Sequence, residues 1–203
     1  MGFFWIKQCF VNILIALNRQ EINSCINIIR KGGVILFPTD TIWGLGCDAT
    51  NQDAVEKIFK IKNRDKTKPL VILLNDENKI FDYVKEVPEV AFDLIDYSDK
   101  PLTIIYPNAK NLAKGVIAED GSVAIRICKI EPCGSLLYNL RKPLVATSVN
   151  FSGEKASLQF NDISEDIINK VDFVFNKEFQ NTITKPSQII KLNADGSFVI
   201  IRS

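Results

Sequence analysis

The sequence predicts an α/β domain, because helical and strand-like hydrophobic patterns alternate along it. An amphipathic helix over residues 20–30 carries apolar side chains at i, i+3, i+4 and i+7, beginning with Ile22. A short apolar run at residues 34–37 then predicts a buried strand that ends at Pro38, because proline cannot donate to a strand ladder. Further apolar runs that predict strands follow at residues 70–74, 101–106, 122–128 and 143–146.

The remaining elements fill the intervals between these strands. Helical patterns occupy residues 50–62, 78–97, 131–140 and 163–171, and a hairpin is predicted from residues 184–192 and 197–202 around an Asn-Ala-Asp-Gly turn. The apolar stretch at residues 3–17 is too short to span a membrane and lacks the basic region of a signal peptide. We expect residues 1–17 to form an N-terminal extension or a first element, before a domain at residues 18–203.

Length and composition restrict the class of protein. A chain of 203 residues with 46% apolar residues suits one globular domain or a tight pair. The net charge of +1, from 25 basic and 24 acidic residues, argues against a whole-surface nucleic-acid binder but leaves room for a local basic patch.

Cysteine and histidine usage excludes several kinds of chemistry. The 5 cysteines show no CxxC spacing, which favours reduced thiols in a cytoplasmic protein over structural zinc or a disulfide framework. Histidine is absent, so Ser-His-Asp catalysis, Cys-His catalysis and His-ligated metals are excluded. Chemistry must therefore use carboxylates, hydroxyls, cations, backbone groups or a metal that arrives with the substrate.

Small and polar residues follow the strand that ends at Pro38. They are Thr39, Asp40, Thr41, Gly44 and Gly46. Hydroxyls and a carboxylate at the end of an α/β strand are typical of a ligand site, and the glycines would allow unusual backbone conformations and a close approach of a ligand. The alternative interpretation is an ordinary strand-to-helix loop.

Cations and a second polar strand end indicate an anionic ligand. Lys62 is seven residues after Val55 and falls on the apolar face of its helix, and Arg64 follows just before a buried strand. Such a pair suits a polyphosphate. Arg126 lies on the strand face opposite three aliphatic residues, so it needs an anionic partner, either a structural carboxylate or a substrate carboxylate. The strand at residues 143–146 ends in another polar cluster, at residues 147–153.

These motifs together resemble those of the YrdC-like threonylcarbamoyl-AMP synthases. The resemblance covers roughly residues 18–203 and is carried by six motifs in order: Pro-Thr-Asp-Thr-Ile-Trp-Gly-Leu-Gly at 38–46, Lys-x-Arg at 62–64 with Lys-Pro-Leu at 68–70, Ser-Val-Ala-Ile-Arg at 122–126, Ser-Val-Asn at 148–150, Pro-Ser-x-Ile-Ile at 186–190, and Arg202. Each motif alone is weak, but six in register are specific.

The resemblance implies a fold and a reaction. The fold is a single α/β domain with a twisted mixed sheet, flanking helices and a basic cavity. The reaction converts L-threonine, bicarbonate and ATP into threonylcarbamoyl-AMP and pyrophosphate, which makes the chain a nucleotidyltransferase. Mg²⁺ would come with ATP, and no protein-ligated metal is expected. The product would pass to the machinery that transfers the threonylcarbamoyl group to an adenosine of tRNA, and direct RNA binding would be weak.

The resemblance also implies roles for individual residues. By this resemblance, the residues that would contact threonine are Thr41, Arg126, the backbone of Ala146, and Ser187. Those that would contact ATP are Arg64, Lys68, Ser122, Ser148, Asn150 and Arg202. Lys62 and Arg64 are the candidate catalytic residues, facing the phosphates.

Three other interpretations stay open at this level. The first is a non-enzymatic relative that binds RNA in the same basic cavity. The second is a related enzyme that adenylates the carbamoyl group of carbamoyl phosphate. The third is a synthase for another amino acid such as serine, since a methyl group provides only about 1 kcal/mol of discrimination.

Overall fold

A mixed sheet forms the centre of the fold. The computed structural model describes residues 19–65, 70–151, 157, 159–176 and 185–203. The nine strands in this part of the chain are β1 Ile35–Pro38, β2 Trp43–Gly46, β3 Val71–Leu74, β4 Leu102–Tyr106, β5 Val123–Ile127, β6 Leu144–Ser148, β7 Phe173–Val174, β8 Gln188–Leu192 and β9 Phe198–Arg202. In the sheet they lie in the order β7-β1-β2-β6-β3-β5-β4-β8-β9. The pairs β1–β7, β3–β5 and β4–β8 are parallel, and the other pairs are antiparallel.

Helices flank this sheet. They are α1 over residues 19–30, α2 Gln52–Lys62, α3 Ile80–Tyr83, α4 Val90–Asp96, α5 Cys133–Leu140 and α6 Glu165–Ile168. Helix α1 buries the predicted apolar stripe, and α2 is capped at its N-terminus by Asn51, whose side chain accepts a hydrogen bond from the Ala54 N–H. The predicted single-domain α/β fold with a mixed sheet and flanking helices is therefore confirmed.

The polar run after Pro38 is a hairpin, which corrects the strand-to-helix interpretation. Pro38 pairs with Trp43, and β2 then runs antiparallel to β1 and beside β6. Gly44 and Gly46 belong to β2 and are not in the left-handed region, so they were wrongly expected to allow unusual backbone conformations. Gly46 is instead required for space, because a Cβ there would lie 2.6 Å from the Phe37 ring and 2.9 Å from the Val145 carbonyl oxygen.

Other predicted elements are confirmed with different bounds. The strands near residues 70–74, 101–106, 122–128 and 143–146 are β3, β4, β5 and β6, and the C-terminal hairpin is β8 and β9. The helix predicted at residues 163–171 is shorter in the structure than predicted, where it comprises only Glu165–Ile168. The domain boundary at residue 18 stays a prediction, because residues 1–18 lie outside the described part of the chain. None of the described helices is long and apolar enough to cross a bilayer.

Candidate functional site

A cavity of about 370 Å³ opens on one face of the sheet, and both polar strand ends contribute to it. This volume lies within the range of small-molecule sites. Strands β4, β5, β6 and β8 supply parts of its wall, and the β1–β2 hairpin supplies another. Its lining residues are Thr39, Thr41, Ile42, Trp43, Gly44, Arg64, Leu70, Val71, Thr103, Ile105, Ala124, Arg126, Ala146, Thr147, Ser148, Pro186, Ser187, Ile189 and Arg202.

The charged groups in this lining are all cations. Arg64, Arg126 and Arg202 line the cavity, and no carboxylate is found among the described lining residues. Burial lowers the pKa of Arg202, and the positive charge of Arg126 lowers it further. Two guanidinium groups that repel each other in a partly desolvated cavity favour an anion between them, because the anion would relieve that repulsion.

A hydrogen-bond relay in the hairpin fixes the two threonine hydroxyls. The Thr39 hydroxyl donates to the Ile42 carbonyl oxygen at 2.7 Å and accepts from the Thr41 N–H at 3.1 Å. The two hydroxyl oxygens are 3.0 Å apart. Because the Thr39 proton is used on Ile42, the Thr41 hydroxyl donates to Thr39. Its remaining lone pairs can accept a hydrogen bond from a ligand's amine or hydroxyl.

Arg126 is held from behind by Asp40. Its Nη2 lies 3.0 Å from the Asp40 Oδ1, and the two side chains are only 8% and 5% exposed. The same nitrogen also lies 3.5 Å from the Thr39 hydroxyl. The buried Nε of Arg126 has no hydrogen-bond partner among the described residues. Of the two partners that the sequence left open, the structure therefore contains the structural carboxylate, and Arg126 also lines the cavity.

Ser187 and Arg202 form the opposite wall. The Ser187 and Thr103 hydroxyl oxygens are 2.8 Å apart, so β8 and β4 share this contact. The Arg202 Nε donates to the Ser187 carbonyl oxygen at 2.9 Å, and its Nη2 lies 3.5 Å from the Ser187 hydroxyl. The pairing of Ile189 with Arg202, beside a β-bulge, places this arginine at the end of β9.

Lys62 is buried, as its place on the apolar face of α2 predicted. Its ammonium donates to the Ser148 carbonyl oxygen, to the Asn150 carbonyl oxygen at 2.7 Å and to the Asn150 Oδ1 at 3.2 Å. The Ser148 hydroxyl donates to the same Oδ1 at 2.6 Å. Burial lowers the pKa of Lys62 to about 8, with a smaller contribution from Arg64. Lys62 therefore holds the loop after β6 and is not among the residues that line the cavity.

Arg64 reaches the cavity because α2 ends abruptly. Asn63 adopts the left-handed conformation at φ 48°, and its N–H and that of Arg64 bond back to the last turn of the helix. The chain then turns so that Arg64 lines the cavity two residues after the inward-facing lysine. Burial lowers the pKa of Arg64, and the nearby Asp65 acts in the opposite direction.

The structure gathers most of the predicted site residues but not all of them. The predicted residues that line the cavity are Thr41, Arg64, Arg126, Ala146, Ser148, Ser187 and Arg202. Asn150 and Lys62 lie behind the wall as one network. Ser122 precedes β5, where its hydroxyl donates to Asp120 at 2.6 Å. Lys68 lies outside the described residues.

Thr103 and Asp40 are polar contributors that were not assigned a role from the sequence. Thr103 was missed because it sits in an apolar strand pattern with no motif around it. Asp40 was noted in the hairpin but not as the partner of Arg126, which lies 86 positions later in the sequence. A buried carboxylate and a buried arginine in one chain are a signal for such a pair, because neither charge is stable alone in the interior.

Comparisons with known proteins agree with the fold. Residues 27–203 match the model of the family Sua5_yciO_yrdC, described as Telomere recombination. The threonylcarbamoyl-AMP synthase of Pseudoalteromonas translucida (strain TAC 125) is 29% identical over 175 residues, which are 85% of this chain and 93% of that protein. The threonylcarbamoyl-AMP synthase of Idiomarina loihiensis is 28% identical over 163 residues, which are 79% of this chain and 87% of that protein.

Solved structures of related proteins share the fold. The crystal structure of P. abyssi Sua5 complexed with L-threonine has a TM-score of 0.82 at 28% identity and covers 89% of this chain, while this chain spans only 53% of that one. E. coli YciO has a TM-score of 0.76 at 26% identity, with 92% of this chain and 89% of that chain covered. The chain therefore belongs to the Sua5/YciO/YrdC family, whose model covers the whole of the described cavity.

Proposed function

We propose that this protein is an L-threonylcarbamoyladenylate synthase, a nucleotidyltransferase that makes threonylcarbamoyl-AMP and pyrophosphate from L-threonine, bicarbonate and ATP. The observation that carries the proposal is the cavity itself, in which three arginines, paired hydroxyls and no described carboxylate face one space. The names of the relatives and the threonine-bound state of P. abyssi Sua5 support the same reaction.

Threonine would bind between the hairpin and β8. Its carboxylate suits Arg126, because that guanidinium lines the cavity and is already oriented by Asp40. The Thr41 hydroxyl, whose proton is directed to Thr39, would accept from the amine or hydroxyl of threonine. Ser187 and the backbone of Ala146 would close the pocket from β8 and β6.

ATP would occupy the more basic part of the cavity. Arg64 and Arg202 would neutralise phosphate oxygens, and the Ser148 hydroxyl, which donates its proton to Asn150, would accept a hydrogen bond from the nucleotide at the end of β6. We assign Asn150 and Lys62 to the support of this strand end, with Lys62 also contributing positive charge near the phosphates. Lys68 and Ser122 remain candidates for the phosphates and the nucleoside.

The chemistry requires positioning and charge neutralisation rather than a protein nucleophile. The threonine amine adds to carbon dioxide derived from bicarbonate, loses a proton and becomes a carbamate. A carbamate oxygen then attacks the α-phosphorus of ATP, the bond from the α-phosphorus to the bridging oxygen breaks, and pyrophosphate leaves. Arginines that surround the phosphates stabilise the charge that develops in such a transfer. A cavity without histidine can supply this chemistry.

Mg²⁺ would enter with ATP and neutralise part of the phosphate charge. Among the described residues, no group of three acidic, cysteine or histidine side chains could hold a metal ion. We therefore assign the ion to the nucleotide and its waters, as is usual for Mg²⁺ on nucleotides. We propose that the reaction takes place in the cytoplasm. The product would then be used by the enzymes that transfer the threonylcarbamoyl group to tRNA.

Pyrophosphate release by the purified chain tests this proposal. The assay contains Mg²⁺-ATP with threonine and bicarbonate, and each of the two is omitted in turn while the adenylate is identified by mass spectrometry. Release that requires both compounds, with the mass of threonylcarbamoyl-AMP, is the expected result. Release with serine in place of threonine would show that serine is the substrate and leave the proposed mechanism in place. No release from a protein that binds ATP would contradict the proposed reaction and favour the RNA-binding alternative.

A further inference from the structure

The last strand of the sheet exposes an apolar edge. Among the described residues, β9 pairs only with β8, so its outer side has no strand neighbour. Its first four residues, Phe198, Val199, Ile200 and Ile201, are all exposed. Sheet edges in natural proteins usually carry charges, prolines or a cover, because a long apolar edge invites pairing with another strand. An edge of this composition is therefore unusual for a surface that faces only water.

The backbone of this edge presents groups to a new strand as far as Ile200, after which a β-bulge interrupts the register with β8. The Asn193 N–H donates to the Ser197 carbonyl oxygen at 2.9 Å, which closes the β8–β9 hairpin. Hydrogen-bonded pairs alternate along an antiparallel ladder, so the N–H and carbonyl groups of Phe198 and Ile200 point away from β8. The apolar side chains are divided between the two faces of the sheet, because Val199 pairs with Lys191 and Ile200 with Ile190.

We propose that β9 pairs with β9 of a second copy of this chain across a two-fold axis at Ile200. Antiparallel pairing in this register places Ile200 opposite Ile200 of the other copy and Val199 opposite Ile201. The strand is thus self-complementary, with aliphatic pairs on both faces and no like charges opposed at its centre. One strand from each copy makes a small interface, so we expect a dissociation constant in the micromolar range.

Sedimentation of the full chain over a range of micromolar concentrations tests this pairing. We expect a monomer–dimer equilibrium in the wild type. Ile200→Lys places two ammonium groups opposite each other at the axis and should weaken the dimer at least about tenfold. Ile130→Lys is the matched control, because Ile130 is 55% exposed against 62% for Ile200 but lies before α5, away from the edge. It should leave the equilibrium unchanged.

A cross-link locates the axis independently. In the proposed register the two copies of Ile200→Cys face each other, so diamide, which removes two electrons and two protons from the two thiols, should join them in a disulfide. Ile130→Cys under the same conditions should stay uncoupled. A wild-type chain that remains monomeric at the highest concentration would overturn the proposal. A dimer that survives Ile200→Lys, or that Ile200→Cys fails to cross-link, would overturn it as well.

Discussion

The Lys62 ammonium lies 2.7 Å from the carbonyl oxygen of Asn150, 88 residues away in sequence. It also reaches the Ser148 carbonyl oxygen and the Asn150 Oδ1, so its three N–H donors all serve one loop. The residue proposed to help bind phosphates therefore acts, in this structure, by holding the strand end whose Ser148 faces the cavity.

Lys62→Met should lower kcat/KM for ATP at least about tenfold, because hydrogen bonds to a charged donor contribute roughly 1.5–3 kcal/mol each. The apolar stem is retained, while the clamp on the loop and its charge are lost. Lys60→Met is the matched control, because Lys60 is an exposed cation in the same last turn and should be nearly silent. Steady-state kinetics with pyrophosphate detection measures both, and near-normal turnover of Lys62→Met would contradict the role of the clamp.

The lowered pKa of Lys62 predicts a dependence of stability on pH. Below about pH 8 the residue is protonated in the folded and the unfolded chain, and between about 8 and its ordinary value of 10.5 the unfolded chain binds more protons. The contribution of Lys62 to the free energy of unfolding should therefore rise with pH in this window, by roughly 1.4 kcal/mol for each unit of pKa shift.

Urea unfolding of the wild type and of Lys62→Met, measured across the same pH values, isolates this contribution, because other titrating groups are common to both chains. The difference between the two free energies of unfolding should change only above about pH 8. A difference that is constant across the window would show that Lys62 keeps an ordinary pKa in the folded protein.

Arg126→Lys should raise KM for threonine about tenfold or more while changing KM for ATP little, because a lysine cannot reproduce the planar fork that suits a carboxylate. The measurement is a pair of substrate titrations, one for threonine and one for ATP. Equal increases of KM for threonine and KM for ATP would show that Arg126 has only a structural role, as the ion-pair partner of Asp40.

Asp40→Asn should destabilise the fold by about 3 kcal/mol, because it leaves the Arg126 charge buried without its anion. Replacing both residues, as Asp40→Asn with Arg126→Met, should recover much of this loss, since no unpaired charge then remains. Urea unfolding of the two single variants and the double variant gives the coupling energy. Additive losses in the double variant would mean that the ion pair contributes nothing beyond its separate side chains.

Gly46→Ala should destabilise the protein by about 1–3 kcal/mol, because a methyl group there overlaps the Phe37 ring and the Val145 carbonyl oxygen. Gly44→Ala is the matched contrast in the same strand. Its methyl group would be at least 3.4 Å from neighbouring atoms, so stability should change little. Equal stability of the two variants would contradict this packing argument.

Apolar patterns predicted most of the strands, but β2 was missed for a physical reason. Trp-Gly-Leu-Gly has neither alternating polar residues nor β-branched side chains, and its strand state depends on pairing with β1 and β6. Tertiary contacts decide such a segment. The short β7, Phe173–Val174, likewise lies in the sheet through its parallel pairing with β1.

The site shows the same division between local and long-range information. The inward direction of Lys62 could be predicted, because a helix places residues i and i+7 on one face. The hydrogen-bond partners of Lys62 could not be predicted, because two of the three acceptors are backbone carbonyl oxygens, which have no sequence signature. The pairing of Asp40 with Arg126 likewise depends on how the hairpin meets β5, a relationship that only the folded sheet establishes.

The residues that line the cavity extend along the sequence from Thr39 to Arg202. A local opening that detaches either the β1–β2 hairpin or the β8–β9 hairpin would therefore abolish binding, even while the rest of the sheet stays folded. Ligands stabilise only the states that bind them. Saturation with threonine and ATP should consequently slow amide hydrogen exchange in both hairpins together, although they lie far apart in the order of the strands.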